Sequence, residues 1–268
     1  MRIVHLRELR TTLLSALTVT VLLSGALLAA WPGESNAGLQ DDRRVEAHRQ
    51  SPRDPGPSFT LGAKPPSVAV GGAEDVAVLF DGTSWDGWIS RDGSPSRWNV
   101  QRDRSVLVEP GAGDALSKEE FGDVQLHIEF LCPLMPDASG QARGNSGVYL
   151  HGLYEVQVLD SFGLEPLIDG CGAVYGVAPP AVNASRPPEE WQTYDIFFRG
   201  PRFDDAGAVK ENPRITVLHN GILIHNNIEI PGSTRAAAGT DMIARGPILL
   251  QDHGNAVRYR NIWARRLD

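Results

Sequence analysis

The segment YEVQVLD, residues 154 to 160, places a carboxylate and an amide, Glu155 and Gln157, two residues apart. On an extended strand that spacing puts both side chains on one face, where they meet the same ligand. Asp160 closes the segment, as a group that orients a neighbour or binds a hydroxyl, or as a cap for the turn Ser161-Phe162-Gly163. Just upstream, RGNSGVYL brings Arg143, Asn145 and Tyr149 together with Gly144 and Gly147. The glycines let backbone approach a ligand closely, and Arg and Asn supply hydrogen-bond donors for ligand oxygens. A third segment, ILLQDHG, ends an apolar run in Gln251, Asp252 and His253. If the strand continues, Leu249, Gln251 and His253 share a face and Asp252 points away. Histidine is suited to both proton transfer and metal ligation near neutral pH. Glu155, His253 and Asp160 are therefore the candidate catalytic groups, with Glu155 and His253 also the candidate metal ligands. Arg143, Asn145, Tyr149, Gln157 and Gln251 are candidate substrate-binding groups. The alternatives are a solvated strand face for Glu155 and Gln157, a loop entering a strand for Arg143, Asn145 and Tyr149, and a structural or solvated strand end for His253.

The elements that must carry these residues read as strands. Period-2 alternation dominates from residue 76 onward, and no run at i, i+3, i+4, i+7 is long enough for a core helix. VQLHIEF puts Val124, Leu126, Ile128 and Phe130 on one face and Gln125, His127 and Glu129 on the other. In ITVLH-NG-ILIHN the pair Asn220-Gly221 separates two alternating runs, the signature of a hairpin with a type I′ turn. PILLQDH and VRYRNIWARR are read as two closing strands. Many strands joined by Gly and Pro turns predict an all-β antiparallel sandwich or jelly roll. If the strands bearing His127, Glu129, Tyr149, His151, Glu155 and Gln157 are neighbours, those side chains converge on one polar, concave face. The tryptophans at 85, 88, 98, 191 and 263 are read mostly as core, with a sugar-stacking platform left open.

The chain begins with a basic stretch, MRIVHLRELR, followed by the uncharged apolar run TTLLSALTVTVLLSGALLAA. That pattern predicts a signal peptide over residues 1–37, hence a secreted or periplasmic protein, with an uncleaved N-terminal membrane anchor as the alternative. Residues 38–75, with DDRR and SPRDPGP, hold too few large apolar groups to offset ordering entropy and are expected to be a disordered linker. Residues 76–268 remain as one domain, with no membrane insertion expected of it. The formal net charge of −8 and the scattered Lys and Arg argue against nucleic acid as a partner. The two cysteines, Cys132 and Cys171, read equally well as a disulfide or as two buried thiols. No HExxH, CxxC or P-loop pattern is present, and GNSGV is not a nucleophile elbow.

Six motifs together resemble a known family: VLFDGTSWDGW (78–88), RGNSGVYLHGLYEVQVLDSFG (143–163), CGAVYG (171–176), EEWQTYDIFFRGPRFD (189–204), ITVLHNGILI (215–224) and ILLQDHGNAVRYRNIW (248–263). They are similar to the 3-keto-disaccharide hydrolase, or 3-keto-glucoside 1,2-lyase and 2-hydroxyglucal hydratase, domain family. They run in family order across nearly all of residues 76–268. The resemblance implies a concanavalin-A-like jelly roll and action on glycosides oxidised at C3. Cleavage would be a β-elimination across C1 and C2, with rehydration of the glucal in some members. It also implies a divalent metal ion and an oxidised sugar or glycoside as substrate. A separate sugar 3-dehydrogenase is expected upstream, since nothing in the chain reads as a redox-cofactor site. Position 151 is His here where relatives often carry Arg or another polar residue. A non-catalytic carbohydrate-binding jelly-roll module is the alternative reading, since a polar concave sheet serves binding equally well.

Overall fold

The computed structural model describes residues 76–268. The expected export segment and linker, residues 1–37 and 38–75, lie outside them. Among the described residues there is no α-helix, one 3-10 turn at Gly140–Ala142, and fifteen strands. No helix there is long and apolar enough to cross a membrane.

Two antiparallel sheets carry the fold. The larger contains β1 (Val76–Phe80), β3 (Asn99–Val100), β4 (Val106–Leu107), β6 (Val124–Leu131), β9 (Gln192–Arg199), β12 (Arg214–His219), β13 (Ile222–Glu229) and β15 (Arg258–Arg266). Its order is β13-β12-β9-β6-β15-β4-β3, with β1 also pairing β15. The smaller sheet has β2 (Trp88–Ile89), β5 (Ala115–Phe121), β7 (Ser146–Leu150), β8 (Tyr154–Val158) and β14 (Gly246–Leu250), ordered β2-β5-β14-β7-β8. β10 (Arg202–Phe203) and β11 (Val209–Glu211) form a separate ribbon.

Alternation decides which side of each sheet is core. Val124, Leu126, Ile128 and Phe130 of β6 are fully buried and join one hydrophobic cluster with Val148 and Leu150 of β7 and Val156 and Val158 of β8. The two inner faces interdigitate there, as in an aligned sandwich. Trp88, Trp85, Trp98 and Tyr259 stack in series at centroid separations of 4.5, 6.0 and 6.3 Å, so three of the tryptophans are core. The predicted hairpin is present: Asn220 and Gly221 take φ of 53° and 78° between β12 and β13, as a type I′ turn requires.

The six expected polar side chains do not converge. β6 lies in the larger sheet and β7 and β8 in the smaller, so His127 and Glu129 are on a different sheet from Glu155. His151 is removed for another reason. It sits in the β7–β8 turn with φ 55°, its ring packed edge-on to Phe198 and set against the carbonyl oxygens of Gly122 and Ile243. Burial lowers its pKa. The two cysteines are both buried and are not joined in a disulfide, and Cys171 Sγ lies 3.2 Å from the Tyr194 hydroxyl.

Candidate active site

The polar face of the smaller sheet is built from two cross-strand rows. Glu155 on β8 lies opposite Tyr149 on β7, which lies opposite Leu249 on β14. One step along, Gln157 is opposite Gly147, whose carbonyl accepts from the backbone N–H of Gln251 at 3.0 Å. Gly147 is the gap in this pattern. A methyl group there would stand 2.3 Å from Glu155 Oε1 and 2.8 Å from Tyr149 Cε2, so the Glu155 carboxylate occupies the space a side chain would need. The sequence thus puts a glycine in mid-strand, where it costs stability, to let a carboxylate lie flat on the sheet.

Loops roof this face. Segment 171–175 runs beside the edge strand β8, with Gln157 N–H donating to Ala173 O and Tyr175 N–H to Glu155 O. The 3-10 turn delivers Gln141, and the loop from β13 to β14 delivers Arg235 and Ala236. Between them is a cavity of about 250 Å³ lined by Gln141, Asn145, Glu155, Gln157, Tyr175, Arg235, Ala236, Gln251 and His253. Five of the residues singled out from the sequence line it: Glu155, His253, Asn145, Gln157 and Gln251. β14 ends at Leu250, so Gln251 and His253 reach the cavity from a loop and not from a continued strand. Asp252 points away, its carboxylate accepting from the N–H groups of Gly113 and Gly254 at 2.9 Å each.

Three candidates stand elsewhere. Arg143 and Asp160 form a buried ion pair at 3.0 Å and are not among the lining residues. Asp160, expected as a catalytic group, and Arg143, expected to bind substrate, thus stand outside the cavity lining and engage each other. Tyr149 is one layer beneath the cavity. Its hydroxyl accepts from Gln251 Nε2 and donates to the Arg235 carbonyl, both at 3.0 Å, so it positions and does not line.

Electrostatics single out Glu155. Burial pushes its carboxyl up to about 8 against the downward pull of the Tyr149 hydroxyl, and Asp114 adds a smaller push upward. It is 3% exposed, and no cation pairs with it among the described residues. A carboxyl poised near neutrality in a cleft is a functional-site signature.

The amides are oriented by what their nitrogens bond. Asn145 Nδ2 donates to Gln141 O at 2.7 Å, Gln157 Nε2 to Gln141 Oε1 at 3.0 Å, and Gln251 Nε2 to Tyr149. Their oxygens, Asn145 Oδ1, Gln157 Oε1 and Gln251 Oε1, are buried acceptors without a hydrogen-bond partner. The expectation that Asn145 donates to a ligand oxygen is thereby reversed: its N–H groups are spent and its oxygen is left. One carboxylate and three amide oxygens form a hard donor set, suited to an oxygen-preferring cation more than to zinc. No group of three His, Cys, Asp or Glu able to hold a metal occurs among the described residues.

Sequence reasoning missed Gln141, Tyr175 and Arg235. Gln141 and Arg235 sit in segments without alternation. Tyr175 lay within the CGAVYG motif, whose contact with β8 only the fold reveals. No tryptophan lines the cavity, and Tyr175 is its aromatic wall.

Comparison with known proteins agrees with this architecture. Residues 75–265 match the model of the 3-keto-alpha-glucoside-1,2-lyase-like domain. A putative glycosyl hydrolase from Parabacteroides distasonis ATCC 8503 is 37% identical, with 72% of this chain and 84% of that one covered and a TM-score of 0.65. A second structure of that name from the same organism is 19% identical, covers 73% and 95%, and has a TM-score of 0.55, a likeness of fold. No curated protein matches the sequence. With its family domain spanning most of the chain, this protein belongs to the 3-keto-alpha-glucoside-1,2-lyase-like family of carbohydrate-active, jelly-roll proteins.

Proposed function

We propose that the domain cleaves 3-keto-glycosides by β-elimination across C1 and C2, and that it is exported to do so. The observation that carries this reading is Glu155, a single buried carboxyl with its pKa near 8 in a sugar-sized cavity. A ketone at C3 acidifies the proton on C2, because the electron pair left behind delocalises onto the carbonyl oxygen. Glu155 takes that proton, and its raised pKa makes it a stronger base than an ordinary carboxylate. The enolate then collapses, the C1–oxygen bond breaks, and its electron pair leaves with the aglycone oxygen. His253, at the exposed rim, supplies the proton that oxygen needs. Addition of water across the C1–C2 double bond would complete a net hydrolysis.

The amide oxygens of Asn145, Gln157 and Gln251 accept from sugar hydroxyls, which fixes the ring. The same oxygens, with Glu155 and His253, are the residues that would hold a divalent cation. Bound there, such an ion would polarise the C3 carbonyl. Elimination also explains why one carboxylate suffices. A retaining glycosidase needs two carboxylates about 5 Å apart across the sugar, and Glu155 is the only one among the lining residues.

The test is incubation of the purified protein with a 3-keto-glucoside and with its unoxidised parent, each with and without chelator. Turnover of the keto form alone is expected. Turnover of the parent, or binding of the keto form without turnover, rejects the elimination.

A further inference from the structure

The lining of the cavity contains one lysine or arginine side chain, that of Arg235. Nine arginines of the domain, among them Arg143, Arg202 and Arg260, pair with carboxylates. No side chain among the described residues pairs with Arg235, and four neutral amides, Gln141, Asn145, Gln157 and Gln251, share the cavity with it. Arg235 is exposed, and Glu155 and His253 are the other titratable residues of the lining; an unpaired cation at the edge of such a cavity is a recognition element for an anion.

Its backbone is fixed more firmly than a rim loop needs. Arg91 donates to Ala236 O at 2.7 Å and Ala237 O at 3.2 Å while its Nε is held by Asp114 at 2.6 Å. Ala236 is kept at φ 57°, a left-handed conformation that residues other than glycine rarely adopt. On the other side, the neighbouring Thr234 accepts from the Glu155 backbone N–H at 3.0 Å, so Arg235 and the carboxyl-bearing strand are linked through one residue. Tyr149, beneath both, donates to the Arg235 carbonyl. Strain, clamp and link all serve to hold residue 235 at the mouth of the cavity above Glu155.

We propose that Arg235 selects glycosides that carry an acidic group, its guanidinium taking a carboxylate at the cavity mouth while the sugar ring rests on the amide wall. This deepens the elimination reading by naming its substrate class, and it rests on that reading for placing the sugar in this cavity. Two sources of the carboxylate share the chemistry: a uronate carbon of the ring, or an acidic aglycone.

Binding of unoxidised glycosides to the full chain, by calorimetry, separates these outcomes from catalysis. Methyl glucuronide is compared with methyl glucoside, and 4-carboxyphenyl glucoside with phenyl glucoside. At least one acidic member should bind about tenfold tighter than its neutral partner, about 1.4 kcal/mol, with the advantage shrinking as salt is raised. The pair that shows it identifies the source. The advantage should vanish in Arg235→Ala and persist in Arg102→Ala, which removes an exposed arginine outside the cavity lining. Equal affinities within both pairs, no measurable binding of either acidic glycoside, or an advantage retained in Arg235→Ala each overturn the proposal. Failure of keto-sugar turnover with the acidic preference intact would instead reject elimination and leave Arg235 as the selector.

Discussion

Glu129 and Glu155 arise from the same sequence pattern and end in opposite chemistry. Each is the polar partner in an alternating strand, each is nearly buried, and each occupies the outward face of its sheet. On the larger sheet, Glu129 accepts from Arg260 Nε at 2.6 Å and from Asn261 Nδ2 at 2.8 Å. His127 lies 3.9 Å away, held in turn by Asp195 at 2.7 Å. Although burial alone would raise the Glu129 carboxyl and lower the His127 imidazole, His127, Asn261 and Arg260 hold Glu129 down to about 2, and the Asp195 and Glu129 carboxylates carry His127 up to about 9. Asn261 reaches the cluster because the bulge between Arg260 and Trp263 sets it at φ 47°. Arg260 also covers the Trp191 ring at 4.0 Å. On the smaller sheet, the neighbours are amides turned nitrogen-inward, and burial raises Glu155 to about 8 with only the Tyr149 hydroxyl pulling it down. A buried carboxylate given every partner is a structural group; one given almost none is held ready for a proton.

The sharpest test of that contrast is removal of each charge in turn. Glu155→Gln should lower kcat/KM on a 3-keto-glucoside by 10²–10⁴-fold or more, the usual worth of a general base, with little loss of stability. Glu129→Gln should leave turnover within a few-fold of wild type and destabilise the fold. Reversal of that pattern would place the chemistry on the larger sheet. Gly147→Ala is expected next in size. The added methyl would sit 2.3 Å from Glu155 Oε1, so the carboxylate must move, and kcat should fall by about 10²-fold, as a misplacement of about 1 Å can cost. A crystal structure or pH titration of that variant showing Glu155 undisturbed would break the link between the glycine and the base.

How much of this was legible in the sequence follows from what alternation encodes. Within strands it places side chains on faces correctly: Val124, Leu126, Ile128 and Phe130 inward, Glu155 and Gln157 together outward. It cannot say which strands are neighbours, because that depends on long-range pairing. β6 and β8 are thirty residues apart and were placed on one surface, yet they belong to different sheets. Asp160 and Arg143 were legible as polar groups near the site but not as each other's partner, since ion pairing is a contact across the β7–β8 hairpin. Arg235 had no signal at all. Its loop lacks periodicity, and only the clamp from Arg91, 144 residues earlier in the chain, gives it a position.

A smaller effect concerns the structural cluster. Arg260→Ala strands the Glu129 carboxylate in a nearly buried place, and breaking such a pair should cost about 3 kcal/mol, measured by urea unfolding at pH 7. The double variant Arg260→Met with Glu129→Leu should recover most of that loss, since no uncompensated charge remains. If Arg260→Ala costs no more than a surface substitution, within about 0.5 kcal/mol, the cluster is a solvated face and the contrast with Glu155 is one of geometry alone.

The mildest perturbation, pH, separates the two regions without any mutation. Glu129 is depressed on folding, so its contribution is present above about 4.5 and is lost as pH falls toward 2. His127 is raised, so its contribution is complete below about 6.5 and is lost as pH rises through 9. Glu155 is also raised, and the folded state holds its proton more tightly than the unfolded chain does. Between about 4.5 and 8 it therefore removes stability as pH rises, by up to about 1.4 kcal/mol per pH unit. His127 and Glu155 both weaken the fold on the alkaline side, but over different ranges, the first beginning where the second is well advanced. With chelator present to keep cations from the cavity, Glu155→Gln should flatten the slope between pH 5 and 8 and leave the loss near pH 9. Asp195→Asn should do the reverse, bringing the His127 limb toward neutrality. If Glu155→Gln leaves the slope between pH 5 and 8 unchanged, the carboxyl is not held near 8, and the chemical distinction between the two glutamates fails.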